Sequence, residues 1–193
     1  MKNTNIPRCP WANPKNPLYL AYHDDEWGVP TYDDKALFEL IVLEGAQAGL
    51  SWEMVLNKRD NYRKAFDSFD VQKVAAYDEE KIEALLQNAG IVRNQLKIRS
   101  AIRNAKVFIE IQEEFGSFSA FIWGYVNHRP ILNHFKASEE VPSTTPLSDM
   151  LSKELKSRGM NFVGSTIMYA YMQSIGMVND HLVGCFCSQN KMP

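Results

Sequence analysis

The chain carries two cysteine–histidine pairs, one near each end of its 193 residues. Cys9 and His23 lie near the start, and His181 and Cys185 lie near the end. Two thiolates and two imidazoles are a ligand set that binds Zn²⁺ in tetrahedral structural sites. One ion held by all four would close nearly the whole chain into a loop, which stabilises a fold. The pattern favours a structural metal site and places any chemistry elsewhere.

The sequence leaves an alternative to this metal site open. A single cysteine or histidine is more often part of a hydrophobic core than a metal ligand. Cys9 and His23 are too far apart for a zinc knuckle, whereas His181 and Cys185 would face the same way if their segment is helical. Cys187 is a competing thiol, so spacing alone does not decide between it and Cys185.

Composition places the chain among globular proteins. Its hydrophobic content of 45% is enough for a core. No apolar run reaches the roughly 18 residues of a transmembrane helix, and the N-terminus lacks the apolar centre of a signal peptide. We therefore expect a cytoplasmic protein with no membrane partner. Its three cysteines are then thiols or metal ligands, not disulfides.

Apolar spacing and capping residues predict an all-α fold. The pattern shows no strong strand alternation and no internal repeat. We expect residues 1–193 to form a single compact domain. The predicted helices follow the capping residues Asp33 or Asp34, Ser51, Asp70, Asp78, Asn94, Ser117 and Thr145, with a last helix over 165–175. The helix after Ser51 is predicted to continue unbroken through WEMVLNKRDNYRKAF, and the helix after Asp78 is predicted to stop at Gly90.

The turn NAGIVR at 88–93 joins two predicted helices. Gly90 allows a tight turn, and unpaired N–H groups at the start of the second helix can bind a phosphate. Arg93 and Lys97 lie near this point, in a window from 84 to 109 that holds no acidic residue. The pattern predicts contact with a DNA backbone, which positions a protein without reading sequence. A solvated basic helix face and an ordinary helical hairpin have the same pattern.

The stretch LEGAQAGLSW at 43–52 carries the candidate chemistry. Glu44 lies near the end of an apolar helix, where a buried carboxylate is costly without a partner. A backbone amide or a basic side chain is the common partner, and a cationic or proton-donating ligand is the functional one. Trp52 begins the next helix, where it either packs in the core or presents one face to a flat aromatic ligand.

Aromatic residues crowd into the segment from 11 to 27. Trp11, Tyr19, Tyr22 and Trp27 all lie there, and Tyr22 precedes a proposed metal ligand, which would hold it rigidly. Such a cluster is usually core. Aromatic walls, a rigid phenol and a carboxylate together predict a slot for a nucleobase.

Several stretches resemble the bacterial 3-methyladenine DNA glycosylase I family. They are RCPW (8–11), LYLAYHDDEWGVP (18–30), LFELIVLEGAQAGLSW (37–52), NAGIVRNQLKI (88–98) and FVGSTIMYAYMQSIGMVNDHLVGC (162–185). They span most of the chain in family order. The resemblance implies the all-α helix-hairpin-helix DNA glycosylase fold, with the hairpin around 78–115. It also implies a lobe built from 1–30 and 177–193 and tied by one structural Zn²⁺.

The resemblance also implies roles for individual residues. Glu44 falls on the carboxylate that contacts the damaged base, Tyr22 on the pocket tyrosine and Trp52 on the stacking tryptophan. Leu50 is a candidate for the wedge that fills the gap left in the duplex. The implied zinc ligands are Cys9, His23, His181 and Cys185, with Cys187 as the spare thiol, and Trp11 and Trp27 are expected to line the pocket.

The implied reaction is hydrolysis of the N-glycosidic bond of 3-methyladenine in alkylated double-stranded DNA, with free 3-methyladenine as product. Many helix-hairpin-helix glycosylases carry an aspartate after the hairpin in a Gly-Pro-Asp-like context. None follows Gly90, since Asp149 and Asp180 stand in other settings. Lys97 is too far along its helix to serve as an amine nucleophile. We therefore expect monofunctional hydrolysis, without strand cleavage, by a monomer.

Two other functional classes compete with this interpretation. A non-catalytic lesion-binding protein would share the metal site and the hairpin but would not need Glu44, Tyr22 and Trp52. A zinc hydrolase would need an open coordination position, which four protein ligands do not leave.

Overall fold

A computed structural model of the chain describes residues 6–188. None of the helices in this range is long and apolar enough to cross a membrane. The α-helices are α1 (Pro17–Asp25), α2 (Asp34–Gln47), α3 (Trp52–Leu56), α4 (Arg59–Ala65), α5 (Val71–Ala75), α6 (Glu79–Gln87), α7 (Gln95–Phe115), α8 (Phe118–Gly124), α9 (Pro146–Ser157) and α10 (Ser165–Ser174). Short 3-10 helices cover Asp67–Phe69 and Ser138–Glu140, and the strands are β1 (Ile131–Leu132) and β2 (Val178–Asn179).

Helix α2 lies at the centre of the fold. Every residue from 37 to 46 is buried, which is the property of a helix surrounded by protein on all sides. Helices α3, α7, α8 and α10 pack around it. The Asp33 carboxylate accepts the Ala36 N–H at 2.8 Å at its start, and Asp34 accepts the N–H groups of Phe118 and Ser119 at the start of α8. A side chain on the last turn of α2 is therefore fixed deep inside the protein.

The predicted all-α character is confirmed, and so are most helix starts. The residue before each of these helices carries a side-chain oxygen that can accept a hydrogen bond from an N–H group of the first turn. Such residues can be recognised in the sequence, so they show where the helices begin. Gly116 ends α7 at φ +83° as a left-handed residue. The side chains that cap helices as predicted are those of Asp33, Ser51, Asp70, Asp78, Asn94, Ser117 and Thr145.

Two helix ends differ from the prediction. The helix after Ser51 is interrupted at residues 57–58, where the Lys58 N–H donates to Val55 O in a 3-10 pattern. This break lets Lys58 Nζ donate to Ala89 O at 2.9 Å and support the turn before α7. Helix α6 ends at Gln87, before Gly90, because Asn88 already has extended backbone angles.

Gly90 serves close packing, not a left-handed turn. It is not among the glycines with positive φ. A Cβ at this position would lie 2.9 Å from Asn88 Oδ1 and 3.0 Å from Asn61 Cβ, which is too close. Gly90 lies in the turn as predicted. A glycine is needed there because α4 approaches the backbone closely.

Helix α1 and the pairing of β1 with β2 are elements that the sequence analysis did not predict. The two strands are parallel, and Ile131 N–H donates to Met177 O at 2.9 Å. Strands of two residues are too short to show alternation in a sequence. The pairing attaches the irregular segment between α8 and α9 to the C-terminal segment.

The two ends of the described chain lie against each other. Phe186 N–H donates to Pro7 O, and Gly28 N–H donates to Gln173 O, both at 3.0 Å. Gly176 ends α10 at φ +70°, and a Cβ there would stand 2.2 Å from the Val29 carbonyl carbon. Only glycine permits this contact between the N-terminal segment and the end of α10.

We expect Gly176→Ala to destabilise the protein by about 3 kcal/mol or more, because it combines a left-handed alanine with overpacking against backbone. Urea unfolding followed by circular dichroism measures the change. Gly124→Ala is the matched control, since a Cβ there meets nothing within 4 Å in the last turn of α8 and a helical alanine is favourable. Equal unfolding midpoints for the two variants would contradict this account of Gly176.

Candidate active site and metal centre

A cavity of about 330 Å³ opens between the C-terminal end of α2, α1 and the C-terminal segment. This volume is that of a small-molecule pocket. The five residues that the sequence analysis assigned to a base pocket, Trp11, Tyr22, Trp27, Glu44 and Trp52, all line it. The other lining residues are Tyr19, Gln47, Ser138, Val141, Ala170, Gln173, Asp180 and Leu182.

Glu44 brings a buried carboxyl group to the cavity wall. Its residue is 3% exposed because α2 is enclosed on all sides. Burial raises the pKa of Glu44 to about 8, and the Ser174 hydroxyl lowers it only in part. Within the described residues, no cationic side chain contributes to this pKa. The common alternative, a glutamate neutralised by a basic side chain, is therefore absent in this part of the chain.

Tyr22 and Trp52 form an aromatic corner beside Glu44. Their ring centroids are 5.2 Å apart with the planes tilted by 47°. Burial, followed by the nearby Glu44 carboxylate, raises the pKa of Tyr22 well above its ordinary value, which keeps the phenol protonated as a donor. The indole N–H of Trp52 is buried and has no acceptor among the described residues. The corner thus combines flat apolar faces with donors and one carboxyl group.

Trp11 and Trp27 separate the cavity from the cysteine–histidine group. The two indoles pack edge to face with centroids 4.8 Å apart. Trp11 also lies 5.0 Å from the His23 ring, and Trp27 lies 4.6 Å from the His181 ring. The same aromatic wall therefore packs against the cavity on one side and against two candidate metal ligands on the other.

The structure brings together Cys9, His23, His181 and Cys185. All four are buried, and their ligand atoms lie within 4.8 Å of one another. Cys185 Sγ is 3.5 Å from both His23 Nε2 and His181 Nδ1, and Cys9 Sγ is 3.6 Å from His181 Nδ1. Sulfur and nitrogen atoms bound to one tetrahedral Zn²⁺ stand about 3.5 Å apart. The group therefore fits a metal ion of this kind.

Both histidines are oriented by their second ring nitrogen. His23 Nδ1 is 2.9 Å from Asp24 Oδ1, and His181 Nε2 is 3.0 Å from Trp27 O. Each of these oxygens can accept a hydrogen bond from the ring N–H, which puts the lone pair that can bind a metal on the other ring nitrogen. Arg8 in turn holds the Asp24 carboxylate with two contacts of 2.8 Å, which lowers the Asp24 pKa although burial opposes this. Such support is typical of a metal-ligating histidine.

The structure separates the two thiols that the sequence could not. Cys185 faces the other three ligands, while Cys187 Sγ lies 3.9 Å from the carbonyl oxygens of His23 and Asp24. Cys187, then Cys9 and the two imidazoles, lower the pKa of the Cys185 thiol well below its ordinary value. The segment 181–188 is not helical, so the condition set for His181 and Cys185 is not met. Turns bring the two side chains together instead, with the Cys185 N–H donating to Leu182 O.

The residues predicted to contact DNA do not line the cavity. Arg93 is exposed in the turn before α7, and Leu50 is half-buried in the turn between α2 and α3. Two N–H groups of the turn before α7 are bound internally, since Gly90 donates to Asn88 Oδ1 and Val92 donates to the Tyr62 hydroxyl. The N–H groups of residues 95 and 96, at the start of α7, have no acceptor in the described chain. Lys97 is half-buried, and its ammonium donates to Ala46 O and Ala48 O at the end of α2.

Sequence reasoning missed several cavity residues. Gln47 follows Glu44 by one helical turn, a spacing that could have revealed it. Asp180, which the sequence analysis set aside, lies in the wall and accepts hydrogen bonds from Tyr169, Gln173 and Asn133 at 2.6–2.7 Å. Tyr169 and Gln173 lie one turn apart on α10, and Asn133 lies between α8 and α9, so no pattern local to Asp180 predicts these contacts.

Comparisons with known proteins agree with this geometry. The family model of methyladenine glycosylases matches residues 11–188. DNA-3-methyladenine glycosylase 1 of Escherichia coli (strain K12) is 51% identical over 186 residues, which are 96% of this chain and 99% of that protein. A crystal structure of a 3-methyladenine DNA glycosylase I is 50% identical in sequence and superimposes with a TM-score of 0.91. The superposition covers 94% of this chain and 99% of that one.

A more distant solved structure shares the same architecture. It is 3-methyladenine DNA glycosylase I from Staphylococcus aureus, in a study of how that enzyme recognises 3-methyladenine. The identity is 35%, the TM-score is 0.91, and the superposition covers 96% of this chain and 98% of that one. The match of the family model to most of the chain and the near full-length identity lead to one conclusion: this chain belongs to the methyladenine glycosylase family.

Proposed function

We propose that this chain excises 3-methyladenine from alkylated double-stranded DNA by hydrolysing the N-glycosidic bond, as a step of base-excision repair. The observation that carries the proposal is Glu44, a buried carboxyl group without a cationic partner among the described residues, at the wall of an aromatic cavity. The name of the Escherichia coli relative supports the same substrate, and so does a solved structure of a 34% identical 3-methyladenine DNA glycosylase I in complex with 3-methyladenine.

Charge distinguishes the damaged base from normal adenine. Methylation at N3 gives the adenine ring a positive charge, and a cation stacks well on an indole such as Trp52. The cation also supplies the partner that an ionised Glu44 lacks, while Tyr22 donates a hydrogen bond. A neutral adenine would leave the buried carboxylate without a partner, which costs more than a lost contact.

The base must leave the stack to reach this cavity. We infer that the turn between α2 and α3 enters the duplex, with Leu50 as the wedge. The positive charge makes the base a good leaving group, so bond cleavage needs little acid catalysis. Water then attacks the sugar in a monofunctional reaction that gives free 3-methyladenine.

We further propose that α6, the turn at 88–94 and α7 form a helix-hairpin-helix contact with the DNA backbone. The exposed Arg93 and the two unpaired N–H groups at the start of α7 support this proposal. Gly90 supports it indirectly, because it lets the turn lie close to α4. These groups bind phosphates and position the enzyme without reading sequence.

We propose one structural Zn²⁺ per chain, held by Cys9, His23, His181 and Cys185. The 3.5–3.6 Å spacing of their ligand atoms and the buried thiols support zinc as the metal. When bound, the ion supplies a fixed link between the two ends of the chain. Four protein ligands fill a tetrahedral site, so the ion takes no part in hydrolysis.

Domain organisation, oligomeric state and location are proposed as well. We propose that 1–193 is a single glycosylase domain and that it acts as a monomer in the cytoplasm. The three cysteines form no disulfide in the described part of the chain, which suits a reducing compartment.

Substitution of Glu44 tests the role proposed for its carboxyl group. Purified protein should release 3-methyladenine from methylated duplex DNA, as measured by chromatography of the free bases. Glu44→Gln should lower the rate of release roughly 100-fold, because it removes a charge that faces the cationic base. Glu110→Gln, an exposed glutamate on α7, should leave the rate unchanged. Full activity of Glu44→Gln would contradict the assignment, and binding without release by the wild-type protein would favour a lesion-binding protein.

The raised pKa of Glu44 also predicts how kcat/KM and stability depend on pH. The anionic form attracts the cationic base, so kcat/KM should rise with pH up to about 8 and then level off, and Glu44→Gln should lose this rise. The folded state holds the Glu44 proton more tightly than the unfolded state, so this group lowers stability as pH rises from 4.5 to about 8. Glu44→Gln should remove that part of the pH dependence in urea unfolding. A pH profile of kcat/KM that the substitution leaves unchanged would refute the role of the carboxylate charge.

Metal analysis tests the zinc proposal. Protein purified without added metal should contain one zinc per chain by inductively coupled plasma mass spectrometry. Cys185→Ala should lose it, because three ligands remain. Cys187→Ala is the matched control and should keep it. Retention by Cys185→Ala with loss by Cys187→Ala would instead assign the metal to the neighbouring group of His23, Asp24 and Cys187.

A further inference from the structure

Lys97 makes an unusual pair of contacts in the first turn of α7. Its ammonium nitrogen donates to Ala46 O at 2.8 Å and to Ala48 O at 2.7 Å. Its own N–H donates to Asn94 Oδ1, so its backbone is part of the helix start after the hairpin turn. Partial burial lowers the pKa of Lys97. Two of its three ammonium protons are therefore engaged inside the protein.

The two carbonyl groups belong to the end of α2. The last carbonyls of a helix lack intrahelical partners and carry partial negative charge, which a cation can compensate. Ala48 is the C-cap residue, with ψ 115°, and so leaves the helix path directly. Gly49 follows at φ +77°, where no Schellman-type capping by the backbone is seen among the described hydrogen bonds. Backbone N–H groups of Ala48 and Leu50 donate to Gly45 O and Gln47 O. Lys97 supplies from another helix the donors for the two carbonyls of Ala46 and Ala48.

The position of this helix end matters for the site. Glu44 lies one turn before Ala48 on α2, and Leu50 and Trp52 follow Ala48 directly along the chain. Lys97, in turn, stands next to the first N–H groups of α7. One side chain thus connects the hairpin with the turn that carries the wedge and begins the pocket wall.

We propose that Lys97 is a positioning residue that holds the turn at 48–51 against the hairpin, so that DNA held by the hairpin meets Leu50 and Trp52 in the geometry for base extrusion. This inference rests on the proposed function. It assigns to Lys97 a role different from a phosphate contact, which was the expectation from sequence. An ammonium that moved away from α2 to a phosphate would lose both hydrogen bonds to the carbonyl groups.

Salt dependence separates the two roles. A lysine that neutralises a phosphate contributes to the release of counterions, so its loss reduces the slope of log affinity against log salt by about 1. A positioning residue leaves this slope unchanged and acts on the rate once DNA is bound. Small displacements of reacting groups cost up to roughly 100-fold in rate.

The experiment compares three lysine or arginine to methionine variants. Lys97→Met should lower the single-turnover rate of 3-methyladenine release at saturating protein by about 10- to 100-fold, with an unchanged salt slope. Arg93→Met, at the proposed phosphate contact, should lower the slope by about 1 and keep most of the rate. Lys106→Met, an exposed lysine farther along α7, should change neither. Lys97→Arg, which keeps the charge and donors, should recover part of the rate.

A second measurement reports on insertion of the wedge into the duplex and does not depend on base release. A duplex with a tetrahydrofuran abasic analogue beside 2-aminopurine should brighten when the wild-type protein unstacks the neighbouring base, and Lys97→Met should bind it with a smaller increase. A lower salt slope with a normal saturated rate would overturn the proposal in favour of a phosphate contact, and no change in rate or fluorescence would overturn it as well. If Lys97→Met does not fold, Lys97→Gln is judged by the same outcomes. Failure of the wild-type protein to release base would count against the proposed function, separately from Lys97.

Discussion

The enclosure of α2 is the constraint on which the site depends. A helix buried from 37 to 46 must place any side chain of its last turns inside the protein, and here that side chain is the Glu44 carboxyl group. Burial of such a group costs free energy unless it is neutralised or paired. This carboxyl group lies at the wall of a cavity, where the proposed cationic base would provide the missing charge. At the end of α2, two carbonyl groups, those of Ala46 and Ala48, accept hydrogen bonds from another element, namely Lys97 on α7.

The second constraint is the meeting of the two chain ends. The cysteine–histidine group, the contact of Gly176 with Val29 and the hydrogen bond from Phe186 to Pro7 all join them. Trp11 and Trp27 lie between this group and the cavity, so the same packing that orders the ligands also orders the pocket wall. A change at the cysteine–histidine group should therefore reach the pocket through rings that touch both.

Prediction from sequence succeeded where the signal was local. Capping residues such as Asp33, Ser51 and Asn94 act within a few positions of themselves, so their helices could be placed without tertiary information. It failed where distant groups decided the outcome. The interruption at 57–58 brings Lys58 to Ala89, and the role of Gly90 depends on Asn61 of another helix. Asp180 escaped notice because its partners lie on α10 and in the segment between α8 and α9, and neither is next to it in the chain in a recognisable pattern.

The sequence by itself determined the helical class of the fold, most helix starts, and the residue types of the pocket and of the metal site. Residue periodicity and the chemistry of each side chain can be read from the sequence without tertiary information. The family resemblance added roles to particular positions. Only the tertiary structure placed Cys185 with Cys9, His23 and His181, showed that Glu44 has no basic partner among the described residues, and directed Lys97 to the end of α2. These are matters of distance between residues far apart in the chain, and such distances are set by packing of the whole fold.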